Sequence, residues 1–235
     1  MMRTYIKALN LSKIYKVGEV TTHALKEVNF EIQEGELVVV LGPSGAGKTT
    51  LLNLLGGMDN ASDGILLIDD KDISKFKEKQ LTLYRRHDVG FVFQFYNLMS
   101  NLTAKENVEL ATEIKKDALK VEDILKLVGL ENRMHNFPSQ LSGGEQQRVS
   151  IARAVAKNPK MLLCDEPTGA LDYETGKSIL KLLSDIARNQ HKTVIIVTHN
   201  SAIKHMADRV IYIKNGQIDK VEINENPMSI DLIEW

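Results

Sequence analysis

The sequence predicts an α/β fold with a mostly parallel β-sheet and a largely helical insert. Short apolar runs of strand length alternate with helical patterns, which is typical of a parallel sheet. The 235 residues are 43% apolar and 26% charged, as in an ordinary globular chain that is long enough for one large domain. The helical insert, at about residues 95–158, reads as a separate lobe.

The first third of the chain reads as strands and turns. Leu37–Leu41 is a continuous apolar run, as expected for a strand that is buried on both faces. Glycine-rich residues follow it, and Lys48–Gly56 then has helical spacing. The other predicted strands are Thr4–Leu11, Leu25–Ile32, Gly64–Asp69 and Val89–Gln94.

The pattern becomes helical from Thr103 to Leu130. Thr103 and Glu106 have the spacing of a capping box. A second helix is predicted over Ser142–Ala156, and Asn158-Pro159 stops it. The remaining predictions are strand Met161–Cys164, helix Tyr173–Asn189, strand Thr193–Val197, helix Ser201–Ala207, and a hairpin of Val210–Lys214 and Gln217–Val221 around Asn215-Gly216.

Composition excludes several classes of protein. A net charge of −1 disfavours a protein that coats nucleic acid. The single cysteine, Cys164, allows no internal disulfide and is most simply a small buried hydrophobe. No leader peptide and no apolar run of membrane-spanning length is recognisable. We therefore expect another chain to supply any membrane part.

Gly42–Thr49 matches the phosphate-binding pattern G-x-x-x-x-G-K-[ST] and lies between an apolar strand and a helix. Its glycines let successive N–H groups point at phosphate oxygens, and the following helix adds its positive end. Lys48 brings a charge to the β- and γ-phosphates, and Thr49 offers a hydroxyl to Mg²⁺. The loop therefore predicts nucleotide binding.

Two acidic residues follow the apolar strand Met161–Cys164. Ligands bind at the carboxyl ends of strands in open α/β sheets, so Asp165 and Glu166 are expected near the phosphate loop. Asp165 would help to hold Mg²⁺ through its water shell. Glu166 would orient the attacking water or accept a proton from it.

A second anion site is predicted at Ser142, where Gly143 and Gly144 open a helix. A monomer that already holds a nucleotide at its first loop has no use for another γ-phosphate site on a separate lobe. Two copies that face each other head to tail would each present Ser142 and Gly144 to the nucleotide of the other.

With these motifs in this order, the chain resembles the ATP-binding domain of ABC transporters over nearly its whole length. Tyr15 matches the aromatic residue that stacks on adenine, and Gln94 matches the Q-loop glutamine. Leu141–Glu145 matches the signature, Asp172 the D-loop and His199 the switch histidine. The resemblance implies a P-loop NTPase core with an N-terminal antiparallel β subdomain. It also implies one domain over residues 1–235, with residues 1–94 and 159–235 as the core and 95–158 as the signature lobe.

The resemblance also assigns the site residues and cofactors, which are ATP and Mg²⁺. The catalytic residues would be Lys48, Gln94, Glu166 and His199, and the metal ligands Thr49, Gln94 and Asp165. The nucleotide contacts would be Tyr15, Gly42, Pro43, Ser44, Gly45, Ala46, Gly47, Lys48, Thr49, Thr50, Ser142, Gly143, Gly144, Glu145 and Asp172.

Glu145 departs from the commonest signature, which has glutamine at this position. A carboxylate that pointed at a triphosphate would repel it. We therefore expect the Glu145 side chain to point away, towards a basic neighbour such as Arg148.

The resemblance is greatest to the lipoprotein-release and macrolide-export group (LolD/MacB-like), on Asp165–Asp172 and Phe91–Gln94. It implies an ATP-dependent homodimer that drives a separate permease, of export or extraction type, from the cytoplasmic face of the membrane. The apolar and aromatic segment Gln94–Leu102 is the expected permease contact, although lobe packing explains it equally well.

Three other readings remain. The first is a non-transport ABC ATPase that acts on nucleic acid or ribosomes, but this chain has one cassette and no long heptad segment. A small-molecule kinase or GTPase would not explain Leu141–Glu145. A regulatory module that binds ATP without turnover is disfavoured by Glu166 and His199.

Overall fold

The computed structural model describes residues 3–234, so residues 1, 2 and 235 of the predicted domain lie outside the described part. The strands are β1 (Thr4–Val17), β2 (Val20–Gln33), β3 (Leu37–Leu41), β4 (Asp63–Ile68), β5 (Lys71–Asp72), β6 (Val89–Val92), β7 (Met161–Asp165), β8 (Thr193–Thr198), β9 (Arg209–Lys214) and β10 (Gln217–Ile223). The helices are α1 (Lys48–Leu55), α2 (Glu78–His87), α3 (Ala104–Thr112), α4 (Val121–Leu127), α5 (Gly143–Ala156) and α6 (Tyr173–Gln190).

The strands form two sheets. The larger has the order β10-β9-β3-β8-β7-β6, in which only the β9–β10 pair is antiparallel. The smaller has the order β2-β1-β4-β5 and is antiparallel throughout. The mostly parallel α/β core and the antiparallel N-terminal region are therefore confirmed.

The central strand β3 separates two apolar cores. All five of its residues are buried, and successive side chains point to opposite faces. Val39 packs on the face with α5 and α6, whereas Val38 and Val40 pack on the face with α1 and the antiparallel sheet. Burial on both faces is why this strand reads as an unbroken apolar run.

The helical lobe consists of α3, α4 and the beginning of α5. Its capping box is present: the Thr103 N–H donates to Glu106 Oε2 over 2.7 Å, and the Glu106 N–H donates to Thr103 Oγ1 over 3.3 Å. The predicted helical stretch 103–130 is two helices, because residues 113–120 form a turn-rich connection between them.

Helix α2, the two-residue strand β5 and the segment Ser201–Met206 also differ from the sequence predictions. Helix α2 was missed because only Leu81 and Tyr84 of its ten residues are buried, which is too thin an apolar stripe to recognise. Ser201–Met206 is a short 3-10 helix instead of an α-helix. Its first turn is closed by the Asn200 side chain, which accepts from the Ala202 N–H over 3.0 Å.

The predicted hairpin is confirmed and contacts the phosphate loop. Asn215 and Gly216 have φ values of 52° and 78°, as a two-residue type I′ turn requires. The Gly216 N–H donates to the Ala46 carbonyl over 2.9 Å. Helices long and apolar enough to cross a membrane do not occur among residues 3–234.

A buried ion pair ties the start of β3 to β9. Arg209 donates from Nε and Nη2 to the two oxygens of Glu36, each over 2.8 Å, and both side chains are 9% exposed. The Gln33 N–H also donates to Glu36 over 2.9 Å. Removal of one partner from such a pair leaves a buried charge uncompensated.

We predict that Arg209→Met lowers the free energy of unfolding by about 3–5 kcal/mol. Lys7→Met is the matched control, because it breaks the exposed Lys7–Glu31 pair, which contributes about 0–1 kcal/mol. Chemical denaturation monitored by circular dichroism measures both changes. Equal losses in the two variants would contradict the prediction.

Candidate nucleotide site

The phosphate loop joins β3 to α1 and is enclosed by two neighbouring backbones. A Cβ atom at Gly42 would lie 2.2 Å from the Ile213 carbonyl oxygen, and one at Gly47 would lie 2.5 Å from that of Ala24. Gly47 also has a φ of 106°, in the left-handed region, where it begins α1. Both positions therefore require glycine, since the enclosing atoms are backbone.

Lys48 is buried inside this loop. Its Nζ donates to the carbonyl oxygens of Gly42 and Pro43, over 2.8 and 3.0 Å. The ammonium is therefore held among polar groups at the start of α1, where anions are favoured.

Thr49 faces the end of β7. Its hydroxyl lies 3.2 Å from Asp165 Oδ2. Burial raises the pKa of Asp165, and so does the nearby charge of Glu166, while the Thr49 hydrogen bond and Lys48 oppose the shift. A hydroxyl and a carboxylate are the hard oxygen donors that Mg²⁺ prefers.

Glu166 directly follows β7, and its backbone N–H donates to the Val197 carbonyl of the neighbouring strand β8. Its backbone is strained, with a φ of 45°. The Thr198 hydroxyl donates to its Oε2, and His199 Nδ1 lies against its Oε1, each over 2.8 Å. An ionised Glu166 requires a proton on that nitrogen of His199. The His199 side chain is 73% exposed, so its other face is open to solvent.

These groups open into a cleft of about 1060 Å³. Of the residues predicted for the site, ten line it: Ser44, Gly45, Gly47, Lys48, Thr49, Thr50, Gln94, Asp165, Glu166 and His199. Gly42, Pro43 and Ala46 belong to the loop but do not line the cleft, and the carbonyls of Gly42 and Pro43 accept from Lys48.

Six residues line the cleft that the sequence analysis did not assign to the site: Thr22, His23, Ala24, Lys26, and the predicted hairpin turn Asn215 and Gly216. His23 and Lys26 are exposed on β2, and no local motif marks them. His23 and Lys26 reach the cleft only because β2 encloses the loop, so the sequence contains no signal that would have found these two residues.

Tyr15 does not line the cleft. Its hydroxyl donates to Asp59 Oδ2 over 2.8 Å, and Lys13 Nζ lies 4.8 Å from the centre of its ring. The side chain is exposed. Its contact with adenine therefore stays a prediction.

The signature residues form a second group outside the cleft. Ser142 is exposed at the start of α5. A Cβ at Gly144 would lie 2.2 Å from Thr175 Cγ2, so this glycine lets α5 approach α6 closely. Asp172 begins α6 and accepts from the Thr175 N–H over 3.0 Å. Gly143 lies near Leu171, so the signature and the D-loop adjoin each other.

Glu145 points back onto the start of its own helix. Its Oε2 accepts from the Ser142 N–H over 2.8 Å, and Arg133 Nε lies 3.1 Å from Oε1. The expected partner, Arg148, was wrong, because Arg148 donates to the Val128 carbonyl and to Ser178. The Ser142 hydrogen bond lowers the pKa of Glu145 despite partial burial, so the helix start already carries one negative charge.

The donor set around Thr49 fits magnesium. Asp165 and Gln94 line the same cleft, and the two oxygen side chains of Thr49 and Asp165 are in contact. Clusters of three or more His, Cys, Asp or Glu side chains suited to a metal are absent from residues 3–234. Mg²⁺ commonly keeps several waters and takes other ligands from substrate phosphates, so two protein oxygens are enough donors for it.

Helix α5 also holds the segment that follows Gln94. The Gln147 side chain is fully buried and donates to the Phe93 carbonyl over 3.4 Å. Arg153 donates to the carbonyls of Tyr96 and Asn97, over 2.9 and 2.6 Å. One helix therefore contacts both the signature turn and the backbone around Gln94.

The family model described as "ABC transporter" matches residues 25–169. The uncharacterized ABC transporter ATP-binding protein MJ0796 of Methanocaldococcus jannaschii is 46% identical over 226 residues, which are 92% of this chain and 96% of that protein. A putative ABC transporter ATP-binding protein of Mycoplasma pneumoniae is 42% identical over 97% of this chain and 50% of its own length. The macrolide export ATP-binding/permease protein MacB of Campylobacter fetus is 45% identical over 91% of this chain and 34% of its own length.

Solved structures agree with these relatives. The dimeric post-hydrolysis state of the ATP-binding cassette MJ0796, bound to ADP and Pi, superposes with a TM-score of 0.85 at 42% identity and covers 94% of this chain and 99% of that one. The structure of cbiO1, part of the cbiONQ ABC transporter complex from Clostridium perfringens, has a TM-score of 0.84 at 31% identity. The match covers 94% of this chain and 89% of that one. This chain spans half the length of the Mycoplasma relative and a third of MacB.

We predict that Arg153→Met loosens the segment after Gln94. Two backbone carbonyls lose a charged hydrogen-bond donor. Each such bond contributes about 1.5–3 kcal/mol to stability. The Met99 amide, which ends this segment and donates to Asn107 Oδ1 over 2.8 Å, is expected to exchange its hydrogen about tenfold faster or more. Lys126→Met, on an exposed position of α4, is the control and should leave that amide unchanged. Equal exchange in both variants would refute the prediction.

Proposed function

The chain belongs to the ABC transporter family as one of its ATP-binding proteins, an ATPase, and from that premise we propose that it drives a separate membrane permease. The observation that carries the proposal is the convergence of Lys48, Thr49, Asp165, Glu166 and His199 on one cleft. A phosphate loop, a carboxylate beside a threonine hydroxyl, and a glutamate held by a histidine are the parts that phosphoryl transfer to water needs.

The proposed chemistry follows from the contacts. Lys48 leaves the loop carbonyls and donates to the β- and γ-phosphates, and the N–H groups of the loop hold the same oxygens. Thr49 and Asp165 would hold Mg²⁺, which would supply positive charge to offset that of the phosphates. Glu166 orients the attacking water and accepts its proton, and His199 contacts the γ-phosphate from the exposed side.

We propose that two copies complete each other's sites. Ser142 is exposed and lies outside the cleft of its own chain. A helix start without a phosphate in its own chain is suited to one that a second copy presents. Gly143 follows Ser142 and lies near Leu171, which precedes Asp172, so one face would carry the signature turn and the D-loop to the partner, with Gly144 buried behind it against Thr175. The dimeric MJ0796 cassette bound to ADP and Pi supports this arrangement.

We propose that the permease binds at Gln94–Leu102. Phe95 and Met99 are 72% and 51% exposed, while Leu98 packs against the core. Exposed apolar side chains on a segment held by Arg153 suit a docking surface. The protein would then lie at the cytoplasmic face of the membrane through its permease. The MacB relative supports an export-type system.

A non-transport role on nucleic acid or ribosomes is not favoured by any contact in the cleft. The relatives and solved structures named above are described as transporter components or cassettes. Transport therefore stays the proposed function.

We predict that Lys48→Ala weakens ATP binding about 100-fold, because the loop loses a charge-assisted hydrogen bond and a nearby positive charge. Titration calorimetry with ATP and Mg²⁺ measures the change. Lys79→Ala, exposed on α2, should bind ATP as the unmodified chain does. Unchanged affinity in Lys48→Ala would rule out the phosphate-loop assignment.

We predict that Glu166→Gln lowers kcat for ATP hydrolysis by about 10²–10⁴-fold, because the amide cannot accept the proton of the water. ATP then stays bound between two copies, so size-exclusion chromatography with ATP and Mg²⁺ should show dimers. Glu131→Gln, at an exposed position, should hydrolyse ATP normally and elute without a stabilised dimer. A monomeric Glu166→Gln protein under these conditions would count against the shared site.

A further inference from the structure

Tyr15 of β1 is fastened to helix α1 and to the turn that follows it. The Tyr15 hydroxyl donates to Asp59 Oδ2 over 2.8 Å. It also interacts with the hydroxyl of Thr50, which is part of α1 and lines the nucleotide cleft. Asp59 lies shortly after the end of α1, and α1 begins at Lys48 in the phosphate loop. The Tyr15 ring is therefore tied to the same helix that begins at the phosphate loop.

The ammonium group of Lys13 covers one face of the Tyr15 ring. Lys13 Nζ lies 4.8 Å from the ring centre, and it donates to Asp59 Oδ1 over 2.5 Å and to the Asn60 carbonyl over 2.8 Å. The Lys13 side chain is only 11% exposed. Because the face of an aromatic ring attracts a cation, the Lys13–Asp59 ion pair supports the ring from one side.

The charge of Asp59 suits it to hold both neighbours. Burial raises the pKa of Asp59, but the hydrogen bonds from Lys13 and Tyr15 outweigh burial, so the pKa lies below its ordinary value. Burial and the hydrogen bond to Asp59 raise the pKa of Tyr15. At neutral pH Asp59 is therefore an ionised acceptor, and Tyr15 keeps the proton that it donates.

The opposite face of the Tyr15 ring is left for a ligand. The residue is 37% exposed, and Lys13 covers one face only. An exposed side chain usually loses rotational freedom when a ligand packs on it, and this loss of entropy weakens binding. The Tyr15 ring is already held by its hydroxyl and by Lys13 before a ligand arrives. It is therefore a preorganised aromatic surface beside the nucleotide cleft.

We propose that Asp59 and Lys13 are positioning residues for the base of the nucleotide, because they fix the Tyr15 ring relative to the phosphate loop. This role rests on the predicted contact of Tyr15 with adenine. Since Asp59 follows α1 and the phosphate loop precedes it, the base and the phosphates are received by one rigid unit. A ring released from Asp59 can still stack on a base, but with lower affinity, and ligands that carry only phosphate are unaffected.

The test compares ADP with inorganic pyrophosphate, each with Mg²⁺, on the full-length chain. Both ligands contain a diphosphate, and only ADP carries a base. Isothermal titration calorimetry measures the two Kd values. Tyr15→Phe keeps the ring but removes its bond to Asp59, and it should weaken ADP binding about fivefold. Lys13→Met removes the support of the ring and should weaken ADP binding about threefold. Neither variant should change the affinity for pyrophosphate.

Tyr212→Phe is the matched control. The Tyr212 hydroxyl donates to Glu222 Oε2 over 2.8 Å, and Lys220 Nζ lies 6.0 Å from the centre of the Tyr212 ring. The same kind of contact is therefore lost at a residue that does not line the cleft. This variant should bind ADP and pyrophosphate as the unmodified chain does. Tyr15→Ala removes the whole ring and should weaken ADP binding about tenfold or more.

Three results would overturn the proposal. The first is an unchanged affinity for ADP in Tyr15→Phe or in Lys13→Met. The second is an unchanged affinity for ADP in Tyr15→Ala. The third is an equal loss of ADP and pyrophosphate binding in Tyr15→Phe, which would mean that the bond to Asp59 only stabilises the fold around the loop. Failure of the proposed function gives a different result, because Lys48→Ala would then bind both ligands as the unmodified chain does.

Discussion

The nucleotide site depends on the parallel register of three neighbouring strands. Leu41 of β3 pairs with Thr198 of β8, and Val197 of β8 pairs with Asp165 of β7. Because parallel strands end at the same edge of a sheet, the residues that follow them meet there. The phosphate loop, Glu166 and His199 are brought together by this register alone, although more than 100 residues separate the first from the second.

Helix α5 constrains the structure a second time, because its two ends contact two different surfaces of the molecule. Its first turn presents Ser142, and Arg153, two turns or more along it, holds the backbone after Gln94. A helix moves as one body, so a partner that displaces one end also displaces the other. This supports a mechanical link between the proposed dimer face and the proposed permease surface.

The negative charge of Glu145 at the signature turn is stabilised by groups close to it. Glu145 places its carboxylate on the Ser142 N–H and beside Arg133. Glutamate and glutamine both close a capping box, so the departure from the commonest signature preserves the helix start. The Glu145 carboxylate repels an anion that approaches Ser142, and the neighbouring Arg133 offsets part of that repulsion.

Many of the elements were predictable because their signals are local. Leu37–Leu41 is apolar since it is buried on both faces, and Asn215-Gly216 specifies its own turn. Helix α2 was not predictable, because most of its residues face solvent and only two carry a periodic signal. The division of residues 103–130 into two helices was not predictable either: α3 and α4 both pack on α5, and residues 113–120 form the turn-rich connection between them.

The sequence by itself determined the phosphate loop, the acidic pair after β7 and the signature turn. Each is a contiguous stretch whose backbone conformation follows from its own glycines, capping residues and neighbouring apolar runs. Only the tertiary structure decided that Arg133 pairs with Glu145, that His23 lines the cleft, and that Tyr15 donates to Asp59. These contacts are between residues of different helices, strands and loops. They form only when the sheets and helices pack against one another.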